Sequence, residues 1–328
     1  MLRLLDARHD RFALNAPFRI ARGVKTAADV VTVTIREGDV MGRGEGVPYP
    51  RYGESVEGAL AAIEQVRALL EGGGGRADIA AAMPPGAARN AVDNALWDLE
   101  ARQAGESVAA LAGLQSPAPL ASAITIGIDG AAAMAAVAAR HAAVPLLKVK
   151  VDAATVEERL RAVREAAPTP RLIVDPNESW SVADIERHLP LLCELRVDLL
   201  EQPVPAGGDE GLERFAGAIA ICADEALHTR ADLVRLKGRY SHVNVKLDKT
   251  GGLTEAIALA DEAMAQGFGL MVGCMVASSL GIAPAMLLGA RAEFVDLDGP
   301  LWLAEDYPDG VVDRAGWLSP PKPGFWGS

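Results

Sequence analysis

From about Leu120 onward, short apolar runs alternate with Ala-rich segments whose apolar positions recur at helical spacing, as in Thr155 to Ala166 and Leu253 to Gln266. The runs are Ala121 to Ile126, Leu146 to Val151, Leu172 to Asp175, Val197 to Glu201, Ile219 to Asp224, Val243 to Leu247, Leu270 to Gly273 and Phe294 to Leu297, eight in all. Their spacing, roughly 22–27 residues, fits one strand, one helix and two short loops. The pattern predicts an α/β protein with a (β/α)8-type TIM barrel. A doubly wound sheet also alternates strands and helices, but it calls for no polar residue at one strand end after another.

Before Leu120 the pattern changes. Val30 to Arg36 alternates like an antiparallel strand and runs into Glu37-Gly38-Asp39, which predicts a hairpin. Leu60 to Leu70 and Ala87 to Gln103 read as helices, separated by Gly72 to Gly75 and Pro84-Pro85. An α+β capping domain over residues 1–116, completed by the C-terminal segment 303–328, and a barrel over 117–302 are therefore expected. Gly72 to Gly75 has neither a preceding strand nor a following Lys-Ser/Thr, so it reads as a flexible connection and not as a phosphate loop.

Composition narrows the chemistry. The 328 residues carry 32 Lys and Arg against 44 Asp and Glu, a net charge of −12, which offers no basic patch for nucleic acid or an anionic membrane. No stretch approaches ~18 uncharged apolar residues and the amino terminus has no signal-like apolar core, so a soluble, cytoplasmic protein is expected. Cys193, Cys222 and Cys274 lack CxxC spacing, and the five His, with His228 among them, form no ligand motif. Metal or acid–base chemistry has to rest on carboxylates and Lys.

Barrel chemistry sits at the carboxyl ends of the strands. Read in order, those ends present Lys148 and Lys150, Asp175, Glu201, Asp224, Lys246, and Asp296 with Asp298. Each acid alone could cap a helix or pair with a neighbouring base. Three of them, Asp175, Glu201 and Asp224, converging in one mouth would repel unless a cation lay between them, and an all-oxygen set suits Mg²⁺. Asn177 and Glu225 lie near enough to support those acids, whereas His228 reads as a surface or capping residue.

Lys148-Val149-Lys150 puts two Lys on one side of a strand, because side chains alternate with period two. Neighbouring cations and burial both lower a Lys pKa, which can make it a base near neutral pH. Lys246 ends a run about four strands later and so faces the pair across a closed barrel. One amine on each face of a bound molecule fits proton removal from one side of a carbon and return on the other. Lys that merely neutralise the acids are the plainer alternative.

At these residues the chain resembles the enolase superfamily, in its muconate-lactonising subgroup, where a KxK pair, three carboxylate metal ligands and a second Lys recur in this order. Three further segments resemble the dipeptide epimerases, and the bacterial L-Ala-D/L-Glu epimerases in particular: Pro48 to Ser55, Pro85 to Ala91, and Lys246 to Gly252. Asp296-Leu297-Asp298 resembles their clamp for a substrate ammonium. Met275 to Ser279 departs from the subgroup in lacking an acid.

The resemblance implies a Mg²⁺-dependent isomerase acting on a small-molecule dipeptide, L-Ala-L-Glu or L-Ala-D-Glu from cell-wall peptide, through an enediolate. It implies that Asp175, Glu201 and Asp224 bind Mg²⁺, that Lys148 neutralises the substrate carboxylate, and that Lys150 and Lys246 exchange the α-proton. It further implies that Thr125 and Cys274 line the pocket and that Asp296 and Asp298 hold the ammonium. A glutamate side chain needs a cation from the cap, for which Arg22, Lys25 and Arg51 are the candidates. Muconate cycloisomerase, o-succinylbenzoate synthase and a non-catalytic barrel that binds small acids remain as alternatives, and a homo-oligomer is left open.

Overall fold

The structure is a computed structural model that describes residues 3–327. Its amino-terminal part opens with an antiparallel sheet of β1 (Arg3–Ile20), β2 (Gly23–Glu37) and β3 (Val40–Gly46). The hairpin expected at Glu37-Gly38-Asp39 joins β2 to β3, with Glu37 opposite Val40. β1 escaped the sequence reading because charged residues interrupt its alternation and most of it stays partly exposed. Its pairing with β2 supplies what its composition does not.

Helices α1 (Val56–Gln65), α2 (Arg67–Glu71), α3 (Arg76–Ala82), α4 (Ala87–Ala104) and α5 (Val108–Leu111) follow. The helix expected over Leu60 to Leu70 starts four residues earlier, where the Ser55 hydroxyl accepts from the Gly58 N–H, and breaks at Val66. Gly72 to Gly75 is a pinned turn and not a flexible link: Gly73 and Gly74 donate to Leu70 and Leu69 carbonyls, and Arg3 donates to Gly74. The buried helix α4 lies against the sheet because Gly42, Gly44 and Gly46 alternate along β3. A Cβ at Gly44 would stand 2.1 Å from the Ala91 carbonyl oxygen.

The second part is an eight-stranded parallel sheet ordered β5 (Ile124–Ile126), β6 (Leu146–Lys150), β7 (Arg171–Asp175), β8 (Leu199–Glu201), β9 (Ile221–Ala223), β10 (His242–Val245), β11 (Gly269–Gly273) and β12 (Phe294–Asp296). Ser122 bridges Val295 in parallel, which brings the two ends of the sheet together into a barrel. The expected run Ala121 to Ile126 divides: β4 (Leu120–Ala121) pairs instead with β14 (Trp317–Ser319), itself paired with β13 (Val312–Arg314).

The helices between strands are α6 (Ala131–Arg140), α7 (Val156–Ala166), α8 (Val182–Glu194), α9 (Leu233–Leu236), α10 (Leu247–Thr250), α11 (Leu253–Ala265) and α12 (Ser279–Gly289). After β8 a single 3₁₀ turn, Leu212–Phe215, replaces a helix. The C-terminal segment returns to the amino-terminal part, where the Trp326 indole donates to the Arg43 carbonyl and the Gly327 N–H to Asp98. Among the described residues no helix is long and apolar enough to cross a membrane.

Candidate active site

Period-two alternation inside the barrel builds two layers from the same strands. On seven of the eight strands the first inward position is apolar, and Ala123, Leu146, Ile173, Leu199, Cys222, Met271 and Phe294 pack into a closed floor. The next inward positions carry Thr125, Lys148, Asp175, Glu201, Asp224 and Asp296, all buried. Outward residues such as Leu147, Val149, Leu172 and Val174 join the main core under the helices. Polar groups therefore gather at one end, over a dry floor.

Lys148 and Lys150 meet at one acid, as their shared side of β6 requires. Asp175 Oδ2 lies 3.1 Å from Lys148 Nζ and 2.5 Å from Lys150 Nζ. Lys148 also reaches Glu201 at 2.6 Å and Asp296 at 2.8 Å. Lys246, just past β10, stands at the other side of the barrel, with its Nζ 2.7 Å from Asp224 Oδ2.

The expected lowering of the Lys pKa values is reversed at two of these residues. Burial works against the charge on Lys148, but Asp296, Glu201 and Asp175 hold its ammonium well above the ordinary value. Burial and Asp224 act in the same opposed way on Lys246, which is also held high. Adjacent carboxylates outweigh both desolvation and the neighbouring cations. On the acid side, burial would raise Asp175, yet Lys150 and Lys148 bring it down to about 2. Glu201, buried and next to Asp175, is pushed up to about 7.

The three lysines, Asp224 and Asp296 border a cavity, with the barrel as its base and the amino-terminal part as its roof. Thr125, Lys148, Lys150, Asn177, Asp224, Glu225, Lys246, Cys274, Asp296 and Asp298 line it from the barrel, and Phe18, Ile20, Arg22, Lys25, Tyr49 and Tyr52 from above. Asp298 accepts from the Thr125 N–H at 2.8 Å and is pushed up to about 6 by burial and by Asp296. Burial drives the Cys274 thiol well up, so it lines the cavity as a neutral group.

The three cap cations separate. Arg22 lines the cavity and pairs with Glu225 at 2.6 Å and Glu178 at 3.1 Å. Lys25 lines it too, with its ammonium 4.4 Å from the Tyr49 ring centroid. Arg51 is not among the lining residues, and Glu178 holds it by two bonds of 2.8 Å. Glu225 serves Arg22 and does not support the three acids, whereas Asn177 does: its N–H donates to Asp175 Oδ1 at 2.8 Å. His228 packs edge-on against Tyr52, with centroids 4.5 Å apart.

Comparison with known proteins gives the arrangement a lineage. The Mandelate racemase / muconate lactonizing enzyme N-terminal domain family matches residues 5–113, and the Enolase C-terminal domain-like family matches residues 130–325. The chain is 48% identical to the L-Ala-D/L-Glu epimerase of Escherichia coli, over 97% of this chain and 99% of that one. The chain belongs to the enolase superfamily, among its dipeptide epimerases. As a dipeptide-epimerase relative it is an enzyme of the isomerase class. An enolase family member from Agrobacterium tumefaciens with homology to dipeptide epimerases, solved with sodium and L-Ala-L-Glu, superposes with a TM-score of 0.96 at 50% identity, covering 99% of this chain and all 100% of that one. The N-acetyl-D-glutamate racemase of a Pseudoalteromonas species is 42% identical over 91% of this chain and 95% of its own.

Enolase-superfamily membership raises the question of a metal. Among the described residues no three His, Cys, Asp or Glu side chains already stand close enough together to hold an ion, since Lys148 sits between Asp175 and Glu201. The donor chemistry nevertheless fits a hard cation: three buried carboxylates stand at the ends of successive strands, and the positive charge now beside Glu201 Oε2 is the Lys148 ammonium at 2.6 Å.

Three residues that hold these acids went unread in the sequence. Asn244 donates to Glu201 Oε1 at 2.9 Å, Lys249 to Asp224 Oδ1 at 2.6 Å, and Gln202 accepts from the Asp224 N–H at 2.8 Å. Asn244 stands two positions before Lys246, so period two alone could have placed it inward. Gln202, in the left-handed region at φ 33°, left no signal.

Proposed function

We propose that this protein epimerises dipeptides with a carboxy-terminal glutamate, L-Ala-L-Glu and L-Ala-D-Glu, by passing the α-proton between Lys150 and Lys246. The observation that carries this reading is a pair of buried amines at strands four apart, bordering one cavity. The enolase-superfamily relatives named for dipeptides support it.

Asp175, Glu201 and Asp224 would hold a divalent cation, as relatives solved with Mg and a dipeptide do. Bound there, Mg²⁺ would supply positive charge for the substrate carboxylate as its α-carbon loses the proton. Lys148 adds its own charge to that carboxylate, and the enediolate forms where both lysines can reach the carbon. Proton removal by one lysine and donation by the other inverts the centre.

Asp296 and Asp298 favour a substrate with a free ammonium. Asp296 Oδ1 is buried without a hydrogen bond, and Asp298 stands beside it on the cavity wall. An N-acylated glutamate, like a muconate or a succinylbenzoate, brings no such cation and would leave Asp296 to Lys148 and Asp298 to the Thr125 N–H. Arg22 and Lys25 reach the cavity from above and would take the glutamate side chain.

The deciding experiment is ¹H NMR of L-Ala-L-Glu in D2O with Mg²⁺. Loss of the glutamate α-proton signal and appearance of the L-Ala-D-Glu epimer are expected, with both abolished by EDTA. Faster exchange of N-acetylglutamate than of the dipeptide would replace this reading with an N-acylamino-acid racemase. For the side chain, Arg22→Ala should reduce the preference for L-Ala-L-Glu over L-Ala-L-Gln by roughly tenfold or more, the worth of a buried charge-assisted contact. An unchanged ratio would remove Arg22 from the site.

A further inference from the structure

Three separate segments, Pro48 to Ser55, Pro85 to Ala91 and Lys246 to Gly252, meet in one buried joint between the roof and the barrel. At its centre Asp248 Oδ1 accepts the Val47 N–H and the Asn90 amide, each at 2.8 Å. Asn90 also donates to the Glu45 carbonyl and accepts from Asn94. Arg89 donates to the carbonyls of Thr250 and Gly251, which cap the end of α10. Gly251 and Gly252 take φ of 78° and 115°, and a Cβ on either would strike Arg89 or Asp93 at 2.3 and 2.4 Å. Glu54 completes the joint by accepting from the Ala87 and Tyr49 N–H groups, which ties the loop bearing Tyr49 and Tyr52 to the start of α4.

What the joint grips is α10, a helix of four residues. One turn cannot hold its own shape in water, because helix nucleation is unfavourable. Successive side chains on it diverge, so Asp248 anchors to the roof while Lys249 anchors to Asp224 in the barrel. Lys246 is the residue that leads into this turn, in extended conformation at φ −120° and ψ 127°. Where α10 sits decides where the Lys246 backbone, and hence its amine, sits.

We propose that Asp248 is a positioning residue for Lys246, and that through Val47 and Asn90 the roof domain sets the reach of one of the two lysines and not the other. The assignment rests on the two-base reading above. Lys150 stands on β6, hydrogen-bonded within the sheet, and has no bond to this joint. Loosening the joint therefore acts on one face of the substrate α-carbon.

The test follows α-proton exchange into each epimer, L-Ala-L-Glu and L-Ala-D-Glu, in D2O with Mg²⁺, for the wild type, Asp248→Ala, Asp248→Asn and Asn90→Ala. Lys246→Ala and Lys150→Ala serve as references, and the epimer that stops exchanging in Lys246→Ala is the one Lys246 serves. In Asp248→Ala and Asn90→Ala the exchange ratio between epimers should shift against that epimer by roughly tenfold or more, since a displacement of ~1 Å can cost ~100-fold. Asp248→Asn keeps the accepting oxygen and should stay within about threefold of the wild-type ratio. Both rates come from one sample, so a smaller folded fraction cancels. One-sided loss in the lysine variants with an unchanged ratio in Asp248→Ala overturns the role of Asp248 alone. Symmetric loss in both lysine variants overturns the two-base reading and this assignment with it.

Discussion

Lys249 shows how much of the site depends on single buried charges. Its ammonium donates to Asp224 Oδ1 and main-chain oxygen at 2.6 and 2.5 Å and to the Asn244 carbonyl at 3.1 Å. Removing Lys249 leaves Asp224 with Lys246 alone, at 2.7 Å, so the cost falls below that of a fully stranded buried charge, to about 1–3 kcal/mol. Lys249→Met should therefore lower unfolding free energy by about that amount in urea titration. A loss under ~1 kcal/mol would mean that Asp224 finds other compensation. The sequence displayed Lys249 in plain view, three residues after Lys246, but nothing in one dimension says which acid a Lys will meet.

At the scale of elements, the barrel strands were legible because burial on both faces leaves short continuous apolar runs, and because six of the eight end in or just before a charge. Element lengths were less so. The run before α6 splits between two sheets only because Leu120 and Ala121 find β14, nearly two hundred residues on. β1 reads as surface and is a strand because β2 offers it a partner. The packing of α4 on β3 is another tertiary fact, and it is testable. Gly44→Ala forces a methyl group against the Ala91 carbonyl, so it should destabilise the protein by about 1–3 kcal/mol in chemical denaturation. Tolerance of alanine there would mean that α4 can lift from the sheet at little cost.

For the whole molecule the seam between the two parts matters most, and it is built from acids. Glu45, on β3, is fully buried and accepts from the N–H and hydroxyl of Ser278 beyond β11. Burial, against those two bonds, pushes it up to about 8. A carboxyl whose folded pKa is raised binds its proton more tightly in the folded state, so its stabilisation is complete below pH ~4.5 and is lost as pH rises towards about 8. At ~1.4 kcal/mol per pH unit the loss from this one group reaches about 5 kcal/mol. Glu45→Gln, always neutral, should gain stability relative to the wild type between pH 5 and pH 8, read as a melting-temperature difference that widens with pH. A constant difference across that range would show that Glu45 does not titrate in the seam.

The sequence by itself determined the order of the strands, the family and the charged residues at six of the eight strand ends, because alternation and burial act locally and write a period into the chain. It also foretold that Lys148 and Lys150 share a side and that Lys246 stands across from them. Only the tertiary structure decided what those charges feel. Lys148 and Lys246 are held high and not low, because acids from other strands outweigh both burial and the neighbouring cation. Arg22 and Lys25 reach the cavity while Glu178 holds Arg51 aside, and Asp248 meets Asn90 across 158 residues. Electrostatic energy depends on distances in space, which no linear pattern contains.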